Sequence, residues 1–446
     1  MSELSNEELA IAREYDLTKK VLPFLDRHLS YPILDSLREL YGDEAIDLSI
    51  FELFEGTNMI SFLQNQWKAI HGDDKPLPAE LTSEKEEEIS AVFHKLNKST
   101  SEILSVLNQV EVQEQLKQDK VLNRAYLSRE HGVSDEQINE LYEFGQFQYN
   151  RGDYVVASDL LSNFRALSTD TDMVNNATWG KLAGDIIRLQ WESAIKELKN
   201  LRDVVDSRSN FQNPLVQLHH RIWIIHWSLF PFFNSEDGLE QLLDLFLSSS
   251  YLSTIQAAAP WILRYLVAAV VCSETSSNKN NLSSSPNFQK RLKDLIKVVK
   301  QEEYEYRDPL TDFIKALYVD YDFSEANSKL IEASSILKTD FFLTNLTETF
   351  LTNARHLISE VYCKVHQRIN LNDISKSLNL TREEGEKLIA NLIKETKMDA
   401  KIDESEGTVI LNHPTTSVYQ QVIEKTKGLS FKANQILATA LEKDIN

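Results

Sequence analysis

The sequence predicts a mostly α-helical chain: a right-handed array of helical hairpins, then a small helix-turn-helix element with a β-hairpin, then further helices. Three observations carry this. The 446 residues hold only 12 Gly and 10 Pro, so helical patterns run long without breakers. Tyr142 to Leu161 and Trp179 to Leu198 share a pattern of aromatic, basic and small residues. Finally, ISKSLNLTREEGEKLIANLI, Ile374 to Ile393, reads as two short helices joined by a tight turn.

Taken in order, the first segment reads as helical to about Gly72, with a pause around Tyr41 to Asp43. Val21, Leu22, Phe24, Leu25, Leu29, Ile33, Leu34 and Leu37 recur at helical spacing. GDDKPLP, Gly72 to Pro78, is a plausible linker. Beyond it Ile89, Phe93, Leu96, Thr100, Ile103, Leu107 and Val110 alternate steps of four and three, a heptad seam. Such a seam fits a long helix packed on its own chain and an intermolecular coiled coil equally well. From Leu141 the pattern changes to hairpins. Tyr142 aligns with Trp179, Arg151 with Arg188, Tyr154 with Trp191 and Ala157 with Ala194. The offset approaches that of tetratricopeptide-like helix pairs, so a helical solenoid is expected. It runs to about Leu337, broken by the Ser/Asn-rich stretch Ser273 to Asn287, which has nothing to bury and is expected to be a surface loop.

A further helix, Leu343 to His366, leads into the helix-turn-helix. Thr381 and Glu384 make a capping box at its second helix. Strand-like pieces bracket it: Arg368 to Asn370, then AKID and TVIL joined by a turn at Ser405 to Gly407. Strand, helix, turn, helix and hairpin make a winged helix. Two more helical patterns, Val418 to Lys427 and Ser430 to Leu441, end the chain.

Composition narrows the function. The formal net charge is −21, from 47 basic and 68 acidic residues, and so acidic a surface repels phosphate. Cys272 and Cys363 lie far apart without CxxC spacing, which suggests a reducing, intracellular setting. The acidic start MSELSNEELAIAREYDL lacks the apolar core of a signal peptide. The apolar runs Ile222 to Phe233 and Trp261 to Val271 are too short to span a membrane, and the second carries Arg264. They are expected to be core helices.

Motifs for chemistry are missing. There is no GxGxxG, GxxxxGK[ST] or GxSxG. His219, His220 and His226 share one helix without Cys or HExxH company, so half-buried histidines beside Trp223 and Trp227 are expected rather than a zinc site. No catalytic residue, cofactor or metal is expected. At the start of the second helix of the helix-turn-helix, where a DNA reader meets base edges, stand Arg382, Glu383, Glu384 and Glu386. From Thr381 to Lys397 four basic residues (Arg382, Lys387, Lys394, Lys397) meet four acidic ones (Glu383, Glu384, Glu386, Glu395). Sequence-specific DNA binding is not expected, and a protein–protein role is.

A helical array running into a winged helix resembles the PCI domain, found in the proteasome lid, the signalosome and eukaryotic translation initiation factor 3. Longer blocks resemble the e-subunit family of that factor: YDLTKKVLPFLDRHL with TNM, LHHRIWIIHWSLFPFFN, WILRYLVAAVV, DPLTDFIKALYVDYDF, NLIKETKMDAKIDESEG and YQQVIEKTKGLSFKANQ. They run in order from Tyr15 to Gln435. The Ser/Asn-rich insertion and a longer acidic start before Tyr15 depart from the family. The resemblance implies a non-catalytic, cytoplasmic scaffold subunit among other PCI and MPN subunits. It also implies contact with the d subunit and, through the complex, with the small ribosomal subunit, supporting mRNA and initiator tRNA recruitment. A lid or signalosome scaffold subunit, or a winged-helix nucleic-acid-binding regulator, is the alternative. The implied divisions are 1–75, a helical segment; 76–125, the heptad helix; 126–338, the solenoid; 339–413, the winged helix; and 414–446, terminal helices. The PCI domain would span about 220–413.

Expected partner-binding residues fall in two places. Thr408, Val409, Ile410 and Leu411 are read as an edge strand of the wing, offering unpaired backbone groups to a neighbour. Val418, Val422 and Ile423, then Ile436, Leu437 and Leu441, are apolar positions on the terminal helices. The second stripe could pack in a partner bundle or on the chain's own winged helix.

Overall fold

The computed structural model describes residues 5–72, 78, 83–109, 112, 120–207, 213–273, 286–370, 399–403, 408–412, 419, 422–423 and 425–433, with 383, 385–387, 389–390 and 393. The chain forms two compact units, Met1–Ala354 and Arg355–Asn446.

In the first unit α1 (Asn6–Glu14) opens on a capping box between Ser5 and Glu8. It is followed by α2 (Thr18–Val21), α3 (Arg27–Ser36), α4 (Arg38–Tyr41), α5 (Asp43–Phe54) and α6 (Ile60–His71). The pause at Tyr41 to Asp43 is the break between α4 and α5, where Gly42 takes φ +87°, a conformation open to glycine at little cost. Ile50, Phe54 and Leu63 lie at the centre of this helical cluster. Hydrogen bonds tie it to residues farther along the chain. Tyr149 Oη donates to Asp26 Oδ1 at 2.6 Å, and Trp227 Nε1 donates to the Phe24 carbonyl at 2.9 Å.

The heptad helix is α7 (Ser83–Leu107). Thr100, Ile103 and Leu107 are buried, and Phe93 and Leu96 pack against the same cluster, which includes Leu141, Phe144 and Phe164. The Arg151 guanidinium lies 4.7 Å from the Phe93 ring centroid. Of the two readings of the seam, the described part packs on its own chain. Each buried apolar side chain there contributes ~1.5–3 kcal/mol.

After α8 (Lys120–Glu130) come two hairpins: α9 (Asp135–Arg151) with α10 (Tyr154–Leu167), and α11 (Thr171–Ile187) with α12 (Trp191–Asp206). Their aligned small residues, Ala157 and Ala194, are 1% and 0% exposed, which lets neighbouring helices approach closely. The first helix of each hairpin ends on a left-handed residue, Gly152 at φ +92° and Leu189 at φ +59°. The array continues through α13 (Pro214–Asn234), α14 (Gly238–Phe246), α15 (Ser249–Ala258), α16 (Leu263–Ser273), α17 (Pro286–Gln301), α18 (Pro309–Lys315) and α19 (Phe323–Thr339). Every residue of α16 is buried. Among the described residues no single helix is long and apolar enough to cross a membrane.

Arg264, within α16, is 2% exposed. Its Nε donates to Asp308 Oδ2 at 2.6 Å and its Nη2 to the Tyr15 carbonyl at 2.6 Å. Asp340 Oδ2 lies 3.4 Å from Nη1 and accepts from Tyr265 Oη at 3.2 Å. A buried guanidinium is tolerated when its charge is paired and acceptors meet its N–H groups; here two carboxylates and a carbonyl do so.

The helix α20 (Thr347–Val365) leads into the second unit. There β1 (Arg368–Asn370), β2 (Asp399–Asp403) and β3 (Thr408–Asn412) form an antiparallel sheet in the order β1-β3-β2. A strand ahead of the helix-turn-helix pairing with the last strand of the hairpin after it completes a winged helix. The capping box at Thr381 and Glu384 and the turn at Ser405 to Gly407 lie outside the described residues.

Candidate subunit interface

The winged domain is built on alternation. Along β3, Val409 and Leu411 are 0% and 4% exposed while Ile410 is 42% exposed. Ile369 of β1 faces Val409 in register and is also buried, as is Ile389. These side chains form the core face of the sheet, as a period of two requires. Gly385 and Ile389 are buried, whereas Glu383 and Lys387 are exposed. Each pair is four apart, so one helical face points inward and the other outward. The described outward positions carry one acid and one base.

The edge-strand expectation for Thr408, Val409, Ile410 and Leu411 is corrected by the topology. β3 is the central strand, paired on one side with Arg368–Asn370 and on the other with Asp399–Asp403. The Leu411 amide also donates to the Gln367 carbonyl at 2.8 Å. Its backbone groups are therefore spent inside the sheet. The edges are β1 and β2, and their exposed Arg368 and Lys401 place charge where strand addition would occur. Hairpin signals show which strands are adjacent, but not on which side a third strand joins.

The terminal helical segment presents apolar side chains to solvent. Val422 is 56% and Ile423 53% exposed, and Tyr419, Leu429 and Phe431 reach 81%, 67% and 70%. At 100° per residue Tyr419, Val422, Ile423, Thr426 and Leu429 share one face about 120° wide. Thr426 turns its hydroxyl back to the Val422 carbonyl at 2.7 Å, which lowers its polarity in that stripe. Lys425, Lys427 and Lys432 are also exposed, a basic stretch in a chain of net charge −21. Tyr419, Leu429 and Phe431 escape a reading by short apolar clusters, though steps of three and ten from Tyr419 reach Val422 and Leu429. Val418, Ile436, Leu437 and Leu441 lie outside the described residues.

His226 is 0% exposed. Its Nε2 accepts from Trp261 Nε1 at 3.1 Å, and its Nδ1 is 2.8 Å from the Ile222 carbonyl, which fixes the neutral tautomer with hydrogen on Nδ1. Burial pulls its pKa down to about 4, against the opposing bond to Ile222. His220 is pulled down by burial and by His219. Among the described residues no three His, Cys, Asp or Glu gather as a metal would need.

A three-stranded winged helix preceded in the chain by packed helical hairpins is the architecture of PCI-domain proteins, and residues 328–413 match the PCI domain family. Residues 16–148 match the family described as eIF3 subunit 6 N terminal domain, and residues 417–438 match the family of the C-terminal region of the E subunit of eukaryotic translation initiation factor 3. The chain is 53% identical over 427 residues to the E subunit of that factor from Yarrowia lipolytica, covering 95% of this chain and 98% of that relative. With its counterpart from Aspergillus fumigatus it shares 49% identity over 439 residues, 98% of this chain and 96% of the relative. The chain belongs to the E-subunit family of eukaryotic translation initiation factor 3. The lid and signalosome alternatives are thereby set aside.

Proposed function

We propose that the chain is a non-catalytic scaffold of initiation factor 3, holding PCI and MPN subunits together through its C-terminal end. Contact with the d subunit, and with the small ribosomal subunit through the complex, follows from the same reading, as does a cytoplasmic location. In this role the chain supports recruitment of mRNA and initiator tRNA without itself reading DNA. The carrying observation is the exposed stripe Tyr419, Val422, Ile423 and Leu429. An apolar stripe of that width requires cover, and the flanking lysines suit a partner with acidic groups.

The test replaces Val422, Ile423 and Leu429 together by Asp. Each loses an apolar burial of ~1.5–3 kcal/mol in the assembled state, so co-purification with the other subunits is expected to drop by at least about tenfold. The melting temperature of the isolated chain should stay unchanged, because these side chains are already in water. Normal assembly of the triple variant would sink the proposal.

A further inference from the structure

Two cavities lie side by side on the repeat array. One, of about 340 Å³, is lined by Lys120, Arg165, Asn175 and Asn200. Its neighbour, of about 360 Å³, is lined by Asn175, Asn176, Trp179, Asn213, Val216 and His220. They share Asn175, Leu201 and Val204 in their linings, so they are neighbours across α10 to α13 and are read together as one track. Solenoids use such extended surfaces to hold other chains.

The chemistry of the track is graded. Four carboxamides line it: Asn175, Asn176, Asn200 and Asn213. A carboxamide carries the same donor and acceptor pair as a peptide bond and can match a main chain with both. Asn213 uses its oxygen to accept from the Leu215 amide at 2.9 Å, and Asn200 donates to Glu197 Oε2 at 3.3 Å. Each of these bonds engages one half of its carboxamide. Behind Arg165 at one end, Glu197, 4% exposed, accepts from both Arg165 at 2.8 Å and Lys181 at 2.7 Å. Two cations thus meet one carboxylate, and of the three residues Arg165 lines the cavity. At the other end Trp179 and Val216 give an apolar wall, and Asp172 stands in the lining.

We propose that this track binds an extended peptide of another protein, with one carboxylate side chain at the Arg165 end and one aromatic side chain against Trp179 and Val216. The carboxamides between would hold its main chain. The local surplus of positive charge suits a single carboxylate, and Asp172 opposes a second one. A nucleic-acid strand fits worse, since tracking a phosphate backbone takes several cations in a row. This proposal stands independently of the terminal stripe.

The test uses the full chain and a panel of fluorescent peptides of about nine residues in a Gly/Ser background. Each carries one Asp and one Trp, separated by about two to five residues, and binding is read by anisotropy. At least one spacing is expected to bind, and exchanging its Asp for Asn should weaken it about tenfold, as loss of a charge-assisted bond does. Asn175→Trp, a plug in the shared wall, should abolish binding without moving the melting temperature. Arg165→Gln should reproduce the effect of the peptide's Asp-to-Asn exchange. Failure of every spacing to bind at millimolar concentration, or binding that survives Asn175→Trp, overturns the proposal. So does a uridine oligonucleotide, or a second copy of the chain, that binds in place of the peptides and is lost on Asn175→Trp.

Discussion

At the scale of single residues, burial decides charge. His226 is held neutral because no water reaches it, and its pKa falls from 6.5 to about 4. In the unfolded chain the ring takes a proton as pH drops through 6.5, whereas the folded chain resists until about 4. The folded state therefore keeps its full margin above pH 6.5 and loses it on acidification. Between about pH 7 and about pH 5 this group alone is expected to cost about 2 kcal/mol. In His226→Gln that acid-induced loss should shrink, as measured by urea unfolding at the two pH values. Leu189 offers a second check. It takes the left-handed conformation that Gly152 takes in the preceding hairpin, and it is 66% exposed. A side chain there costs about 1 kcal/mol, so Leu189→Gly should raise the unfolding midpoint by a corresponding amount. Half-burial was expected of all three histidines on that helix and holds for His220, whereas His219 is exposed and His226 fully buried, because the helical turn that seats each ring is not visible in their spacing alone. Arg264 was legible only as a charge in an apolar run, because its partners Asp308 and Asp340 stand far along the chain and no local pattern joins them.

Elements were more legible than their neighbours. The four-three spacing from Ile89 to Leu107 identifies α7, and Arg368 to Asn370 identifies β1, because periodicity is local. What each packs against is not. The heptad seam allowed a coiled coil until Phe93, Ile103 and Leu107 were found against Phe144 and Phe164. Leu107→Ala should thus destabilise the isolated chain by ~2–5 kcal/mol, equally at every protein concentration. A loss that appears only on dilution would return the seam to an intermolecular role. The same limit explains the misplaced edge: the alternation in Thr408 to Leu411 says which side chains are buried, not which side of the strand is already paired.

Across the whole molecule the dominant quantity is charge. A chain of −21 repels phosphate overall, and on its winged helix the exposed Glu383 offsets the exposed Lys387. Binding of the isolated chain to duplex DNA should be weak, and its affinity should fall only shallowly with salt, since each neutralised phosphate adds about 0.9 to the slope and few are neutralised. Lys387→Glu should leave it unchanged in a filter-binding titration. A tight, sequence-selective complex abolished by that change would restore the DNA-reading alternative. The charge balance was fully legible beforehand, since it needs only counting. The stripe beyond the wing was half legible: Val422 and Ile423 stood out as a pair, while Tyr419 and Leu429 needed the helix axis to join them.

The central place of β3 also bears on how the chain is made. Ile369 pairs with Val409, and Ile402 pairs with the same residue from the other side. During synthesis from the N-terminus, β1 and β2 are both complete before their common partner exists. Neither can find its hydrogen bonds until Thr408 to Asn412 has emerged; β2 then pairs locally across the hairpin, whereas β1 closes a contact distant in sequence, which forms late. A chain interrupted before Thr408, by a premature stop or a proteolytic cut, therefore loses the entire sheet rather than one strand. Quality control would meet a bare β1 carrying Ile369 to water, a signal of incompleteness written into the strand order itself.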